Sequence, residues 1–426
     1  MNVQRVDARE YEVVVCGGGL AGTFAAIASA REGARTVLVE QYGFLGGMAT
    51  LVPVSLFMQY HVMRTDGQVR QLVFGLFEEA VRRLKAGGMM LDKPFSFDDI
   101  ALRGVLDDMV GEAGVDVRFH TFLAGAAVAE GRVTAVRCAG KSGLRDLRAR
   151  VFIDCTGDGD LAHHAGVECA IGGEDGRIQP MTPTFILGGI DLAQLPPKPE
   201  INRRLREAFD RKESPIYEFG FWRTPHPGMV LCNSGHIWGR NALDEADLSR
   251  AEVDGRRLVR GIVDALRRFV PGFENCYAAR LGAQIGVRET RHIRGRYTLT
   301  EEDVLAGRKF DDGVARNAFE IDVHPPKPGQ PKRNHVLGRG VYYEVPYRCL
   351  LPAKGPANLL VACRALSATH PAHASLRTMP TMSAVGEAAG IAAARALANG
   401  GDVGRVDGAA LKRDLLARGI MGEPEG

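Results

Sequence analysis

Closely paired cysteines, long apolar runs, tryptophan and excess charge are all scarce in this chain of 426 residues. The eight cysteines, at 16, 138, 155, 169, 232, 276, 349 and 363, form no CxxC pair. That argues against a dithiol redox centre and a zinc-binding cysteine set. They read instead as small buried apolar residues. No apolar stretch approaches the roughly 18 residues needed to span a bilayer. The longest candidates, residues 11–30 and 384–397, are broken by glycines or charges. Net charge is only +3, which gives no electrostatic footprint for nucleic acid or an anionic membrane. Residues 1–10 carry Arg5, Asp7, Arg9 and Glu10 around no apolar signal core, so a cytoplasmic location is expected. There is no internal repeat and no low-complexity tract.

What is present is ordinary globular composition, 45% apolar and 25% charged, over a length that suits two or three domains. Residues 11–16 contain the continuous apolar run Val13-Val14-Val15, as expected of a parallel strand buried on both faces. A glycine cluster, a small-residue helix over 21–31 and a second strand over 36–40 complete a βαβ unit. Helices are predicted over 69–85 and 98–113, followed by a short strand over 115–119. Apolar stretches at 126–129, 132–138 and 147–153, separated by turn signals, predict a small antiparallel meander. The middle of the chain is bounded by proline-rich loops at 194–200 and 325–331 and holds a predicted helix over 252–269. A strand over 358–362 and an alanine-rich helix over 383–399 then return to the first unit.

The cluster Gly17-Gly18-Gly19-Leu20-Ala21-Gly22 contains GxGxxG. Gly17 permits the turn, Gly19 lets a phosphate approach the backbone, and Gly22 lets helix pack on strand. The positive end of the helix faces the pyrophosphate. Glu40, at the end of the second strand, stands where an acid binds the adenosine ribose. Gly17, Gly19, Leu20, Ala21, Gly22, Glu40 and Gln41 are therefore expected to touch a dinucleotide. The motif alone leaves FAD and NAD open. After Glu40, however, the chain enters a glycine-rich loop, residues 41–50, suited to the far end of an extended cofactor.

At these residues the sequence resembles the FAD-dependent oxidoreductases distantly related to the fumarate reductase and succinate dehydrogenase flavoproteins. The resemblance covers nearly the whole chain. It is carried by 13–22 with Glu40 and 42–50, by 152–160, by 285–292 with 299–303, and by Tyr347-Arg348, 358–364, 367–370, 375–377 and 386–390. It implies an α/β fold: a Rossmann-type, glutathione-reductase-like FAD-binding domain formed discontinuously by 1–175 and 341–426. An inserted α+β substrate domain would occupy 176–340. It implies FAD as cofactor, with Gly46, Gly47 and Met48 around the ribityl and isoalloxazine region and Leu123 at the adenine. Thr156 and Gly157 would form a second glycine turn. Arg364 and the helix start near Gly386–Gly390, with Ala388, Ala389 and Gly390, would lie near the flavin. Cys363 stands where relatives often carry glycine, so covalent attachment through it, or through His61, is one alternative.

Flavin chemistry leaves the protein to orient the substrate and manage a proton. Two clusters in the marked segments offer those groups: Arg288, Arg291 and His292, and His370, His373 and Arg377. The arginines suit a bidentate anion clamp, or structural ion pairs. His370 and His373 have no third ligand at a sensible spacing, so no metal is expected. His324 and His335 flank the second proline-rich loop as candidate lid residues. The reading is a dehydrogenase or reductase moving a hydride between flavin and a small polar molecule. Oxygen, NAD(P)H and a redox partner stay open as electron acceptor or donor. A flavin monooxygenase and a non-catalytic flavoprotein are the alternatives. A disulfide reductase lacks its cysteine pair, and a halogenase its tryptophan-rich signature, since only Trp222 and Trp238 are present. Neither nucleic acid nor a membrane span is expected, and the helix over 252–269 offers a face for a homo-oligomer.

Overall fold

The computed structural model describes residues 5–6, 11–173, 176, 178–325, 327, 330 and 332–422. At its centre is a five-stranded parallel sheet. The strands are β1 (Val13–Cys16), followed by helix α1 (Leu20–Arg31), then β2 (Thr36–Val39), β3 (Asp116–Arg118), β4 (Val151–Asp154) and β5 (Leu359–Val361). Their spatial order is β5-β4-β1-β2-β3, all parallel. Alternate side chains feed two different cores. Val13, Val15, Leu38, Val151, Ile153 and Leu360 pack on the helical side. Val14, Cys16, Val37, Val39, Phe152 and Leu359 pack on the other. Burial on both faces explains the unbroken apolar runs.

On the helical side, α1 crosses α2 (Met379–Ala398) at very short range. A Cβ on Gly386 would lie 2.0 Å from the Ala21 carbonyl oxygen, and one on Gly390 would lie 2.2 Å from that of Ala25. Helix α2 starts at Met379 rather than near residue 383, with Pro380 in its first turn, where a missing N–H costs nothing. Gly386–Gly390 is therefore the middle of the helix and not its start. On the opposite face lies the expected meander, Phe122–Ala129, Arg132–Gly140 and Gly143–Arg148. The stretch 147–153, predicted as one strand, is two. Gly143–Arg148 closes the meander and Val151–Asp154 joins the main sheet. Apolar pattern does not say which partner a strand pairs with.

The helix predicted over 69–85 is also divided. Val69–Gln71 pairs as a strand with His61–Met63, and the helix runs Gly75–Ala86. Phe74 (φ −129°, ψ −144°) and Gly75 (φ +61°) hold non-helical backbone at the junction. The helix predicted over 252–269 begins earlier, at Glu245, where the Asp244 side chain accepts a hydrogen bond from the Asp247 N–H.

Between β4 and β5 an antiparallel sheet forms in the order Phe221–Arg223, Val230–Asn233, Thr184–Gly188, Tyr277–Leu281. With helices Lys198–Asp210 and Glu245–Phe269 it encloses a separate core running from Phe185 to Cys276. Leu299, Val304, Phe310, Val314 and Ile321 lie outside that core and pack into the helical-side core of the main sheet. Among the described residues, no helix is long and apolar enough to cross a membrane.

Candidate functional site

The site forms where the strand order reverses, at the carboxyl ends of β1 and β4. Open α/β sheets bind ligands at such a switch point. Gly17 leaves β1 with φ +98°, and a Cβ there would lie 2.4 Å from the Cys155 carbonyl oxygen. Gly22, in the first turn of α1, has its Cβ position 1.8 Å from the Gly17 carbonyl oxygen. Strand, turn and helix are thus locked at a separation only glycine allows. Gly19 is the N-cap of α1, and no described side chain caps it, so the first N–H groups remain for an anion. Gly19 bridges in parallel to Gly46. Glu40 is buried at the tip of β2. Its Oε2 accepts from the Gly18 N–H at 2.6 Å and its Oε1 from the Tyr42 N–H at 2.8 Å. Burial pushes its carboxyl above the usual range, against the pull of those bonds.

From this turn a cavity of about 320 Å³ extends toward the antiparallel sheet. Gly17, Gly19, Leu20, Ala21, Glu40 and Gln41 line its first end, with Leu123 beside them. Gly46, Gly47 and Met48 line one wall, and Thr156, Gly157 and Arg364 another. Arg364 donates to Asp158, whose carboxylate also accepts from Thr290 Oγ1 at 2.6 Å. Thr378 and Met379, at the start of α2, also face the cavity, and no described side chain caps that helix end. Two uncapped helix N-termini around one cleft suit a ligand with an anionic pyrophosphate and an electron-rich far end. Cys363 lines the cleft, with its thiol pushed above the usual range by burial, whereas His61 does not line it.

At the other end stand Arg288, Arg377, Asp322 and His324. Arg288 donates to the Pro180 carbonyl at 2.7 Å and to Thr182 Oγ1. Arg377 donates to Gln179 Oε1 at 3.4 Å and to the Asp322 carbonyl at 3.3 Å, while its Nε has no partner among the described residues. Burial, then the charge of Arg377, brings Arg288 down to about 9. Burial also lowers Arg377. Asp322 is their nearest counter-charge, 3.7 Å from Arg377, but Lys332 lies 2.5 Å from it as well. Burial works against ionisation of Asp322, but the His324 hydrogen bond and these cations outweigh it and hold the carboxyl well below the usual range. His324 Nε2 lies 3.4 Å from Asp322, and its Nδ1 is 3.0 Å from His236 Nε2. Burial, then Arg288, lowers His324 to about 3, so the ring is neutral near pH 7.

Several expected site residues lie elsewhere. Gly22, Ala388, Ala389 and Gly390 do not line the cleft; Ala388, Ala389 and Gly390 are buried in α2. Arg291 is an ion-pair residue, 2.8 Å from Asp160, and donates to the Asp158 carbonyl at 3.0 Å. His292, His370 and His373 gather around Glu289, outside the cleft wall. Sequence reasoning missed Asp158, Asp322, Thr378 and Met379. Of these, only the Met379-Pro380 helix start left a local signal.

The sequence model of the family described as FAD dependent oxidoreductase matches residues 12–415. No curated protein matches the chain. Among solved structures, the fold resembles a geranylgeranyl bacteriochlorophyll reductase-like protein of Thermoplasma acidophilum at a TM-score of 0.51 and 12% identity, covering 97% of this chain and 84% of that one. The anhydrotetracycline hydroxylase OxyS of Streptomyces rimosus aligns at a TM-score of 0.49 and 13% identity, over 97% of this chain and 67% of that one.

Proposed function

The chain belongs to the FAD dependent oxidoreductase family, and from that premise we propose that it is a dehydrogenase or reductase acting on a small organic anion. FAD is the cofactor, and when bound it accepts or supplies the hydride. We assign the α1 N-terminus, with Gly17, Gly19, Leu20 and Ala21, to its pyrophosphate, and Glu40 to its ribose. Gly46, Gly47, Met48, Thr156, Gly157 and Arg364 would flank the remainder. The antiparallel sheet between β4 and β5 is taken as the inserted unit that roofs the flavin end.

The observation that carries the substrate class is the pair of half-buried guanidinium groups, Arg288 and Arg377, at the end of the cleft away from the dinucleotide turn. Burial lowers both, and Asp322, the carboxylate beside them in the cleft wall, is shared with Lys332 and His324. A carboxylate ligand would supply the missing negative charge through charge-assisted bonds. His324, neutral and held by Asp322 in the same wall, is the group placed to take or return a proton.

The test is an anaerobic screen of small carboxylates, followed by loss of oxidised-flavin absorbance, with Arg377→Ala alongside. Bleaching by a carboxylate, with KM raised about 10- to 150-fold in the variant at unchanged FAD content, is expected, matching roughly 1.5–3 kcal/mol for a charged hydrogen bond. Response to uncharged analogues alone would reject the anion reading. Flavin reduced only by a nicotinamide, with labelled oxygen entering the product, would point to a monooxygenase instead.

A further inference from the structure

Outside the cleft lies a second cluster with its own chemistry. Glu289 is fully buried, and three imidazoles converge on its Oε1. His292 Nε2 is 2.9 Å away, His370 Nδ1 2.7 Å and His373 Nδ1 3.7 Å. His292 and His373 are 3% and 1% exposed, so water does not compensate them. As hydrogen bonding, the arrangement is incomplete. A carboxylate oxygen offers about two lone pairs, and His292 and His370 take them. Both ring nitrogens of His373, and Nδ1 of His292, are then left without a hydrogen-bond partner among the described residues.

We propose that Glu289, His292 and His373 bind a divalent transition-metal ion of the class that prefers imidazole, with zinc as the reference case. Two imidazoles and one carboxylate form a donor set that zinc accepts. The ligand atoms of the three residues already lie within 4.8 Å of one another, and bonds of about 2.0–2.2 Å require them to draw in by roughly 1 Å. The rings of His292 and His373 stand nearly perpendicular, at 84° with centroids 4.4 Å apart, so they meet edge to face rather than stacked. An ion there would engage one lone pair of each ring, which gives a partner to one of the two orphan nitrogens of His373. His370, bonded to the same oxygen and 22% exposed, orients the carboxylate from the solvent side.

The ion would pin the strand Arg291–Ile293 to the helix His370–Leu376. Sequence spacing hides the set, because His292 and His373 are 81 residues apart.

The test uses the FAD-loaded protein, stripped of metal by a chelator and then titrated with Zn²⁺ and, separately, Co²⁺. The metal content of the protein as purified is measured by mass spectrometry. Expected are one equivalent of bound ion per chain, a higher melting temperature on metal addition, and intense visible Co²⁺ bands of low coordination number. Glu289→Gln and His292→Ala should abolish stoichiometric uptake. Replacing His163 and His164, an exposed pair elsewhere, should leave it intact. Iron in place of zinc in the purified protein, lost in the same variants, supports the same site. Sub-stoichiometric uptake, a Co²⁺ spectrum like that of the hydrated ion, or uptake that depends on His163 and His164 overturns the proposal. The wild-type spectrum decides the matter even where a ligand variant fails to fold.

Discussion

His324 shows how far the surroundings can move one side chain. Its imidazole is brought to about 3 by burial and by Arg288, against the pull of Asp322. A group with that value does not change charge between pH 5 and pH 8, roughly the range in which free histidine titrates. In our reading it acts as a neutral base or donor, so activity should show no acidic limb near the usual histidine value. His324→Ala should lower kcat by roughly 10²- to 10⁴-fold, the usual contribution of a positioned acid or base. A pH–rate profile of the wild type, together with the variant's kcat, checks both statements. A limb near the ordinary histidine value that vanishes in the variant would show that the ring is far less shielded than its burial indicates.

At the scale of elements, the contact between α1 and α2 governs how the dinucleotide turn is held. Gly386→Val would place side-chain atoms against the Ala21 carbonyl, where a Cβ alone already comes within 2.0 Å. Overpacking of this kind costs typically 1–3 kcal/mol. Because Ala21 also lines the cleft, FAD occupancy should fall together with stability, as read by flavin absorbance per chain and by denaturant titration. Glu387 on the same helix gives a pH prediction. Its carboxyl accepts from the Leu76 N–H at 2.9 Å, and burial raises it to about 7 from an ordinary 4.5. The folded form therefore holds a proton that the unfolded chain has released. The resulting stability is fully present below about pH 4.5 and is lost as pH rises through about 7. The loss is of the order of 3 kcal/mol, from about 1.4 kcal/mol per pH unit. Glu387→Gln, neutral at every pH, should flatten that slope. Urea titrations at about pH 5 and about pH 8 compare the two proteins across the window.

For the whole molecule, the cofactor is part of the fold's free energy as well as its chemistry. The cleft joins the main parallel sheet to the antiparallel unit, with Gly17 and Glu40 on one side and Thr184 and Asn233 on the other. Removing FAD should lower the melting temperature, and restoring it in thousand-fold excess over Kd should return about 4 kcal/mol. A calorimetric scan with and without added FAD measures this. Attachment should be non-covalent. Cys155 and Cys363 both line the cleft, and burial keeps both thiols protonated and unreactive. Denaturation and filtration should leave all the colour in the filtrate; colour retained on the chain would return attention to Cys363.

Much of the dinucleotide end was legible in the sequence because its determinants are local. A buried strand, glycines at fixed offsets, a small-residue helix and a terminal Glu40 all fall within one βαβ unit, where period and spacing carry the geometry. Arg288 and Arg377 were picked out from marked segments, yet the sequence did not show that they share a wall with Asp322 and His324. Nor did it show that Arg291 turns away to Asp160, or that His292, His370 and His373 surround Glu289. Ala388, Ala389 and Gly390 read as flavin neighbours, while Gly390 serves the crossing of α2 over α1 and Ala388 and Ala389 are buried in the same helix. The sequence by itself determined the first βαβ unit and where a dinucleotide turn must lie, but not how 69–85 and 147–153 divide. Tertiary structure alone decided which distant charges meet, because burial and pairing depend on surfaces that come together only when the two cores close.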